Sequence, residues 1–440
     1  MKRSLILLAA CAALFASQNA GAQDLKTGYF IDNYVYGYKL NPALQPKVGN
    51  TFVGFVVNDI ALSGQTNVGI SNVLFPLNGK LVTGLNENIP ADTFLGGLKD
   101  DNKALVGVNL NLLSIGSRTN HGFFTFDVSL KSNLGLAIPK SFAEFLKIGG
   151  TGNSYVVENI ALSTRNYLEA AFGYSLNIGS KLTVGATVKG LVGLANVNAQ
   201  VDKLGIDITD TGMTIAGNGT LEGSAKMLDI PTENGEFKFD ELQFSGVGVS
   251  GFGAAVDLGV VFKPIDGLTL SGAILDLGGI SWKNNVNGVM SGSKTFEGDD
   301  IGNLEDDMLN IFTFMATEAS SSFDVLPATL SVGARYEMPF YRKLSAGLLG
   351  TVQTGKFGGY DLRAGLTLSP ANILSIAGSY GITSFGSAAG AAVSIKIPGI
   401  NIFAGIDGFF GEMTPNFIPI NKINTTFKLG VTLVFGKNKK

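Results

Sequence analysis

The sequence offers few side chains that could perform acid–base or nucleophilic chemistry. It contains one histidine, His121, and one cysteine, Cys11. A Ser-His-Asp arrangement or a histidine-based zinc site needs more than this inventory supplies, and we interpret His121 as a turn residue. Cys11 lies near the amino terminus in a stretch that resembles a cleaved leader, so neither a disulfide nor a thiol nucleophile is expected after export. We therefore predict that the protein is not an enzyme and uses neither a cofactor nor a bound metal.

Two other stretches resemble binding motifs. GVGVSG, residues 246–251, matches the glycine pattern of dinucleotide sites, but it precedes the strand-like AAVDLGVVF where that motif requires a helix. We interpret these glycines as strand packing. EGDDIGNLEDD, residues 297–307, groups six acidic side chains in a predicted loop. A solvated surface loop is the first interpretation, and calcium or a cation bridge to lipopolysaccharide is the alternative.

Charged side chains recur in a different and more informative setting. In FFTFDVSLKS, residues 123–132, apolar residues occupy every second position from Phe124, and Asp127 and Lys131 lie between them. Successive side chains of a strand point to opposite faces, so one face is apolar and the other is polar and charged. The same alternation places the following charged residues on the polar face: Asp127, Lys131, Glu169, Lys189, Asp257, Arg335, Glu337, Asp361 and Arg363. Both signs are present, which argues against a strongly charge-selective pore, and we expect most of these residues to pair with each other or with the segment before the first strand.

Period-two alternation extends over most of the chain and predicts about 14 strands. They lie near residues 51–63, 104–117, 121–133, 164–178, 181–196, 247–263, 267–282, 328–338, 342–353, 359–369, 372–383, 387–398, 400–410 and 425–436. Most are long enough for the roughly 9 to 11 residues with which a tilted strand crosses a bilayer. We therefore predict an all-β transmembrane antiparallel barrel.

The links between these strands support the same architecture. Long links follow the first four odd-numbered strands, and tight links follow the even-numbered ones. Long loops on one side and short turns on the other are typical of outer-membrane barrels. A secreted two-sheet sandwich would also bury apolar strand faces, but it does not explain the one-sided loops.

Composition and the ends of the chain set the remaining limits. The sequence is 45% apolar, yet no internal run approaches the roughly 18 residues of a membrane-spanning helix. Its formal net charge of −3 gives no reason to expect nucleic-acid binding. Residues 1–22 have a basic start, an apolar stretch and small residues near Ala22, which predicts a secretory signal peptide, with a lipoprotein-type box at Cys11 as the lesser alternative. Residues 51–440 would form the barrel. Residues 23–50 would occupy its lumen, because a barrel of 14 strands is too wide for wall side chains to fill.

A short motif in that segment adds a resemblance. Asn41-Pro42-Ala43, before the first strand of a 14-stranded barrel, resembles the FadL family of long-chain fatty-acid and hydrophobic-compound transporters and the related PorV-type barrel of type IX secretion. The phrases DLGGISW and LPATLSVGARY are similar to stretches of uncharacterised FadL-like barrels of Gram-negative bacteria. The resemblance implies that Asn41, Pro42 and Ala43 belong to a hatch that plugs the barrel. An ordinary turn entering the barrel is the alternative for these three residues.

The resemblance leads to two functional hypotheses. The first is an outer-membrane transporter that takes up small hydrophobic molecules by hatch movement, with membrane lipids and lipopolysaccharide as its surroundings. The second is an envelope or secretion barrel, PorV-like, whose long outer loops bind protein clients. The sequence departs from the family where YFIDNYVYGYK replaces the small residues that usually precede the triplet. This departure leaves the ligand open.

Overall fold

The computed structural model describes residues 24–47, 49–56, 58–150, 152–226, 228–241, 243–244, 248–297, 312, 314–318, 320–408 and 424–436. Within these residues the chain forms a closed antiparallel barrel of 14 strands, as the alternation predicts. The predicted signal peptide, residues 1–22, lies outside the described residues. The acidic loop does so as well beyond Glu297.

The wall strands are numbered here in chain order. They are β1 (Thr51–Phe55 and Ile60–Thr66), β2 (Asp101–Arg118), β3 (Gly122–Pro139), β4 (Ser154–Ile178), β5 (Leu182–Thr209), β6 (Gly251–Phe262), β7 (Leu268–Lys283), β8 (Ser321–Val325 and Thr329–Glu337), β9 (Leu344–Gln353), β10 (Gly359–Ala371), β11 (Leu374–Thr383), β12 (Gly386–Ile397), β13 (Ile400–Asp407) and β14 (Asn424–Phe435). Each pairs with its neighbours in sequence, and β1 closes the ring by pairing with both β2 and β14. Closure leaves no free edge in the wall, which is the condition for placing strands in lipid.

The two faces of the wall differ as the alternation predicts. Large apolar side chains such as Phe172, Val188, Phe252 and Leu366 point outward and are more than half exposed. A soluble protein does not present so broad an apolar surface around its whole circumference, whereas a membrane barrel presents it to acyl chains. Because the sheet closes on itself, the two-sheet sandwich is excluded.

Two wall strands are much longer than predicted. β4 has 25 residues and β5 has 28, where the alternation predicts a beginning near 164 and an end near 196. Beyond Gly193 the partner of β5 changes from β6 to a further strand, Gly212–Ser224, which itself pairs with Val286–Glu297. These extensions form an outer sheet on the side of the long links. Apolar contacts among Val157, Leu204, Ile206 and Met213 stabilise it. The period-two pattern of β5 is interrupted there, because its pairing shifts register near Leu194 and again between Val201 and Lys203.

Short elements complete the described chain. The outer links contain helix α1 (Ala91–Gly96) and helix α2 (Lys140–Ile148), which buries Phe142, Ala143 and Phe145 on one face. Smaller pieces are the 3₁₀ helices Lys26–Phe30, Val35–Lys39, Ile70–Asn72 and Phe239–Glu241, and the strands Leu74–Leu77, Lys80–Thr83, Leu228–Asp229, Thr232–Glu233, Glu236–Phe237, Gln243–Phe244 and Met315–Ala316. None of the described helices has the length and apolar content needed to cross a membrane.

Candidate functional site

Residues 24–47, called here the amino-terminal segment, lie against inward-facing side chains near the tight turns. Its two 3₁₀ helices carry closely spaced aromatic residues, and Phe30, Tyr34 and Tyr36 are almost completely buried. The ring of Tyr34 lies 4.4 Å from that of Phe403 on β13, and Tyr38 stacks on Phe52 of β1 at 6.0 Å. Aromatic contacts of this kind add to the stabilisation from burial of apolar area. The segment is thus packed as tightly as a protein core.

The Asn41-Pro42-Ala43 triplet is docked between wall strands. The Nδ2 atom of Asn41 donates hydrogen bonds to the carbonyl oxygens of Val260, at 3.2 Å, and Gly272, at 3.0 Å. Its Oδ1 atom accepts a hydrogen bond from the backbone N–H of Ala43 at 2.8 Å, so the side chain closes a local turn as well. A Cβ atom at Gly185 would collide with the backbone of Pro42. The position of the triplet therefore requires glycine at residue 185 of the wall.

Ion pairs hold the amino-terminal segment to the wall. Lys428 of β14 is fully buried and contacts Asp24 at 2.6 Å and Asp59 at 3.1 Å. Lys39 of the segment contacts Asp59 at 2.9 Å, and it also lies 3.5 Å from the predicted lumen residue Asp127. Buried ion pairs add little net stability, but loss of one partner is costly because a buried charge remains.

Two arginine sites fix the first half of the segment. Arg335 donates a hydrogen bond to Asp32 at 2.7 Å. Arg363 bridges Asp361 and Asp407, each at 2.8 Å, and Asp407 in turn accepts a hydrogen bond from the backbone N–H of Lys26. Burial alone would raise the pKa of Asp32, but Arg335, Lys47 and the hydroxyl of Ser369 lower that pKa to about 2.

On the long-link side of the segment, inward-facing side chains form a second charged region, called here the polar girdle. It consists of Asn109, Lys131, Glu169, Lys189, Asp257 and Asp276. Lys131 contacts Glu169 at 2.7 Å, while Lys189 contacts Asp257 at 2.7 Å and Asp276 at 2.6 Å. The two ammonium groups of the girdle thus pair with its three carboxylates within the wall.

Asp276 reaches the lumen through an irregularity in β7. The pairing of β6 with β7 shifts between Val256 and Leu258, and Asp276 takes a positive φ of 60° there. Strict alternation after Leu275 would place the carboxylate toward lipid. The β-bulge turns it inward instead, where the backbone N–H of Asp276 donates to Oδ1 of Asp257 at 2.7 Å.

Two adjoining cavities occupy the lumen above the segment. The inner one, about 130 Å³, is lined by the polar girdle together with Asp127 and Tyr38. The outer one, about 380 Å³, shares Gln65, Asn133 and Arg165 with the inner one and continues toward the long links. Most of the lining side chains of both cavities are polar or charged. This lining differs from the apolar pocket that uptake of hydrophobic molecules leads one to expect.

The predicted lumen residues divide among these regions. Lys131, Glu169, Lys189 and Asp257 belong to the girdle, and Asp127 lies between girdle and segment, where it accepts a hydrogen bond from Tyr38 at 2.9 Å. Arg335, Asp361 and Arg363 lie at the contacts with the segment described above. Glu337 lies at the tight-turn end of β8, partly exposed, and lines neither cavity.

Several residues of the site are missing from the sequence prediction. Lys428 and Asp407 occupy polar-face positions of alternating strands, so the same rule could have found both. Asp276 carries no such signal, because only the bulge turns it inward. Asp24, Asp32 and Lys39 lie in a segment without alternation, and Asp59 follows the interruption of β1. The period-two alternation therefore does not predict in which direction their side chains point.

The closed wall and the segment that lies within it define a membrane-type β-barrel with an internal amino-terminal segment. The chain belongs to a protein family described as Family of unknown function (DUF5723), which matches residues 42–407. This agrees with the uncharacterised subgroup expected from the sequence. No curated protein matches the sequence.

Three of the solved structures with a similar course of the chain are the following. A Pseudomonas aeruginosa FadL homologue is 12% identical with a TM-score of 0.48, covering 95% of this chain and 98% of its own. The Ralstonia pickettii toluene transporter TbuX is 9% identical with a TM-score of 0.47, covering 96% and 100%. The Pseudomonas putida toluene transporter TodX is 11% identical with a TM-score of 0.43, covering 94% and 98%.

Proposed function

We propose that this protein is an outer-membrane channel for small molecules in which the amino-terminal segment acts as a hatch. The observation that carries the proposal is the ring of contacts that this segment makes with wall strands on opposite sides of the lumen, including β6, β7, β13 and β14. A solute entering from the long-link side reaches the two cavities and then meets the segment. Passage requires the segment to move, because its apolar side chains form a buried cluster with those of the wall.

The outer-membrane location belongs to the same proposal. It rests on the closed wall, the apolar outward face and the one-sided long links. In that location the outward side chains contact lipid acyl chains, and the outer sheet extends into the layer of lipopolysaccharide. The protein performs no catalysis in this proposal, since binding and hatch movement suffice for uptake.

A disulfide lock tests the hatch directly. Oγ1 of Thr27 lies 2.6 Å from Oγ of Ser379, so cysteines at these positions would join the segment to β11. The signal stretch holds the only natural cysteine, so the introduced pair would be the only thiols of the exported chain. We expect the oxidised Thr27→Cys/Ser379→Cys protein in planar bilayers to conduct no ions, and we expect openings to return upon reduction.

The control is a second pair that joins two wall strands to each other and not to the segment. Oγ1 of Thr51 and Oγ of Ser117 lie 2.9 Å apart on the neighbouring strands β1 and β2. Oxidation of Thr51→Cys/Ser117→Cys should leave the openings unchanged. Equal conductance of the first pair in its oxidised and reduced states would contradict the hatch.

The outer sheet favours a second candidate, a barrel that binds protein clients. Its strands project well beyond the length that a bilayer requires, and they carry their own apolar core. For this role, replacement of residues 210–222 by a short turn should remove a co-purifying partner and leave the redox-dependent conductance intact. Loss of conductance with no change in co-purifying proteins would favour the channel.

A further inference from the structure

The lining of the lumen allows the class of solute to be inferred, given the hatch function proposed above. We propose that the chain admits a small hydrophilic molecule, uncharged or zwitterionic, which contacts the polar girdle and the amide and hydroxyl groups around it. Glucose and glycine represent these two types of molecule.

The first argument is the cost of placing an apolar solute in these cavities. Water must leave the lining groups when a solute fills the space, and each buried polar group left without a partner costs about 1–3 kcal/mol. The inner cavity alone is lined by Asn109, Thr125, Ser129, Asn133 and Thr187 in addition to the ionised groups. An apolar solute cannot replace the lost hydrogen bonds, whereas hydroxyl, amide or ammonium groups can.

The second argument is the pairing of charges. Each girdle ammonium group contacts at least one girdle carboxylate, at 2.6 to 2.7 Å. The lining of the inner cavity therefore presents both signs to the lumen, five cationic side chains and six carboxylates, so that neither sign dominates. Such a lining disfavours a solute of high net charge, which would have to disrupt an existing pair, and it suits a neutral or dipolar one.

Asn109 supplies the third argument. Its side chain is 5% exposed and lines the inner cavity directly beside Lys131, to which it is paired across β2 and β3. Its Oδ1 atom is buried and accepts no hydrogen bond from any residue that the structure describes. Buried acceptors of this kind are uncommon. Because Oδ1 has almost no accessible surface, the amide must turn toward the cavity to accept a hydrogen bond from a solute donor. The combined space is of the order that holds a single small ligand.

The test measures solute entry into proteoliposomes containing the Thr27→Cys/Ser379→Cys protein in the reduced state. We expect osmotic swelling in glucose and in glycine at rates above those of protein-free liposomes. Asn109→Leu in the same protein removes the free acceptor at similar volume. It should slow swelling about fivefold, the factor that corresponds to one ordinary hydrogen bond.

Asn88→Leu is the matched control, because Asn88 is exposed in the long link before β2. It should leave both swelling rates unchanged. If the reduced protein conducts potassium chloride while glucose and glycine stay outside, the inferred solute class is wrong. That result would not contradict the proposed hatch. An unchanged rate in Asn109→Leu would likewise overturn the contact with the girdle. Absence of any redox-dependent conductance would instead overturn the hatch itself.

Discussion

The two charged regions of the lumen use similar residues for different purposes. At the amino-terminal segment, ion pairs join parts of the chain that are distant in sequence, such as Lys428 and Asp24, which are 404 residues apart. In the polar girdle, Lys131 and Glu169 belong to neighbouring wall strands and bond across them. The first kind of contact can be broken by moving the amino-terminal segment as a unit. The second kind is part of the wall and stays in place when the segment moves.

This difference indicates which region is suited to gating and which to selection. A hatch must be held by contacts that are strong together yet separable from the wall. A solute site must keep its shape while the hatch opens, and cross-strand ion pairs provide that rigidity. Substitutions at matched positions of the two regions should therefore differ in their effects. Those at the contacts of the amino-terminal segment should lower stability and release the segment, whereas those in the girdle should lower stability alone.

Removal of the charge at Lys428 should give the largest effect. Lys428→Met leaves Asp24 and Asp59 without their shared cation in a buried site, and breaking such a pair costs about 3–5 kcal/mol. We expect a corresponding fall in the free energy of unfolding in urea. We also expect faster trypsin cleavage after Lys39, because the released segment exposes that residue.

Two further variants sharpen this result. Lys189→Met removes the cation shared by Asp257 and Asp276, so it should also lower stability, but trypsin cleavage after Lys39 should stay slow. Arg342→Met breaks an exposed pair with Asp266 at a tight turn and should change neither quantity. Equal protease sensitivity in Lys428→Met and Lys189→Met would show that the two regions are not separable.

Acid should weaken the contact between segment and wall at Asp32. Because the pKa of Asp32, about 2, lies below that of an unfolded aspartate, about 3.9, its contribution is complete above about pH 4 and is lost as the pH falls through 2. Asp32→Asn should therefore cost about 2 kcal/mol at pH 7 and reduce the loss of stability between pH 4 and pH 2. Unfolding in urea across this pH range measures both effects. Asp266→Asn, which alters an exposed aspartate, should reproduce neither of them.

The same comparison separates what the sequence could predict from what it could not. Alternation located all 14 wall strands, because lipid outside and water inside impose opposite demands on successive residues. It also placed residues such as Lys189 and Arg363 on the polar face, since position along a regular strand determines direction. The rule is silent where pairing is irregular, as at Asp276, and where the chain has no repeating geometry, as at Asp24 and Lys39.

The outer sheet shows a further reason for the limits. β5 continues to Thr209 because, beyond the wall, it pairs with the strand Gly212–Ser224 and packs in an apolar cluster. Its pairing shifts register near Leu194 and between Val201 and Lys203, so the apolar positions change from even to odd numbers and back, and a single alternating pattern does not run through the strand. Extension of a strand beyond the membrane is a tertiary property, and period two alone does not reveal where it stops.

The smallest expected effect comes from adding a single methyl group at the interface between segment and wall. A Cβ atom at Gly365 of β10 would collide with the ring of Phe30, whereas one at Gly378 of the adjacent β11 meets no atom within 4 Å. Gly365→Ala should cost about 1 kcal/mol, at the low end for overpacking, because the segment can shift away from the wall. That shift should raise the frequency of channel openings and speed trypsin cleavage after Lys39. Gly378→Ala lies on the neighbouring strand and should change neither, so a similar response of the two variants would mean that Phe30 does not restrain the segment.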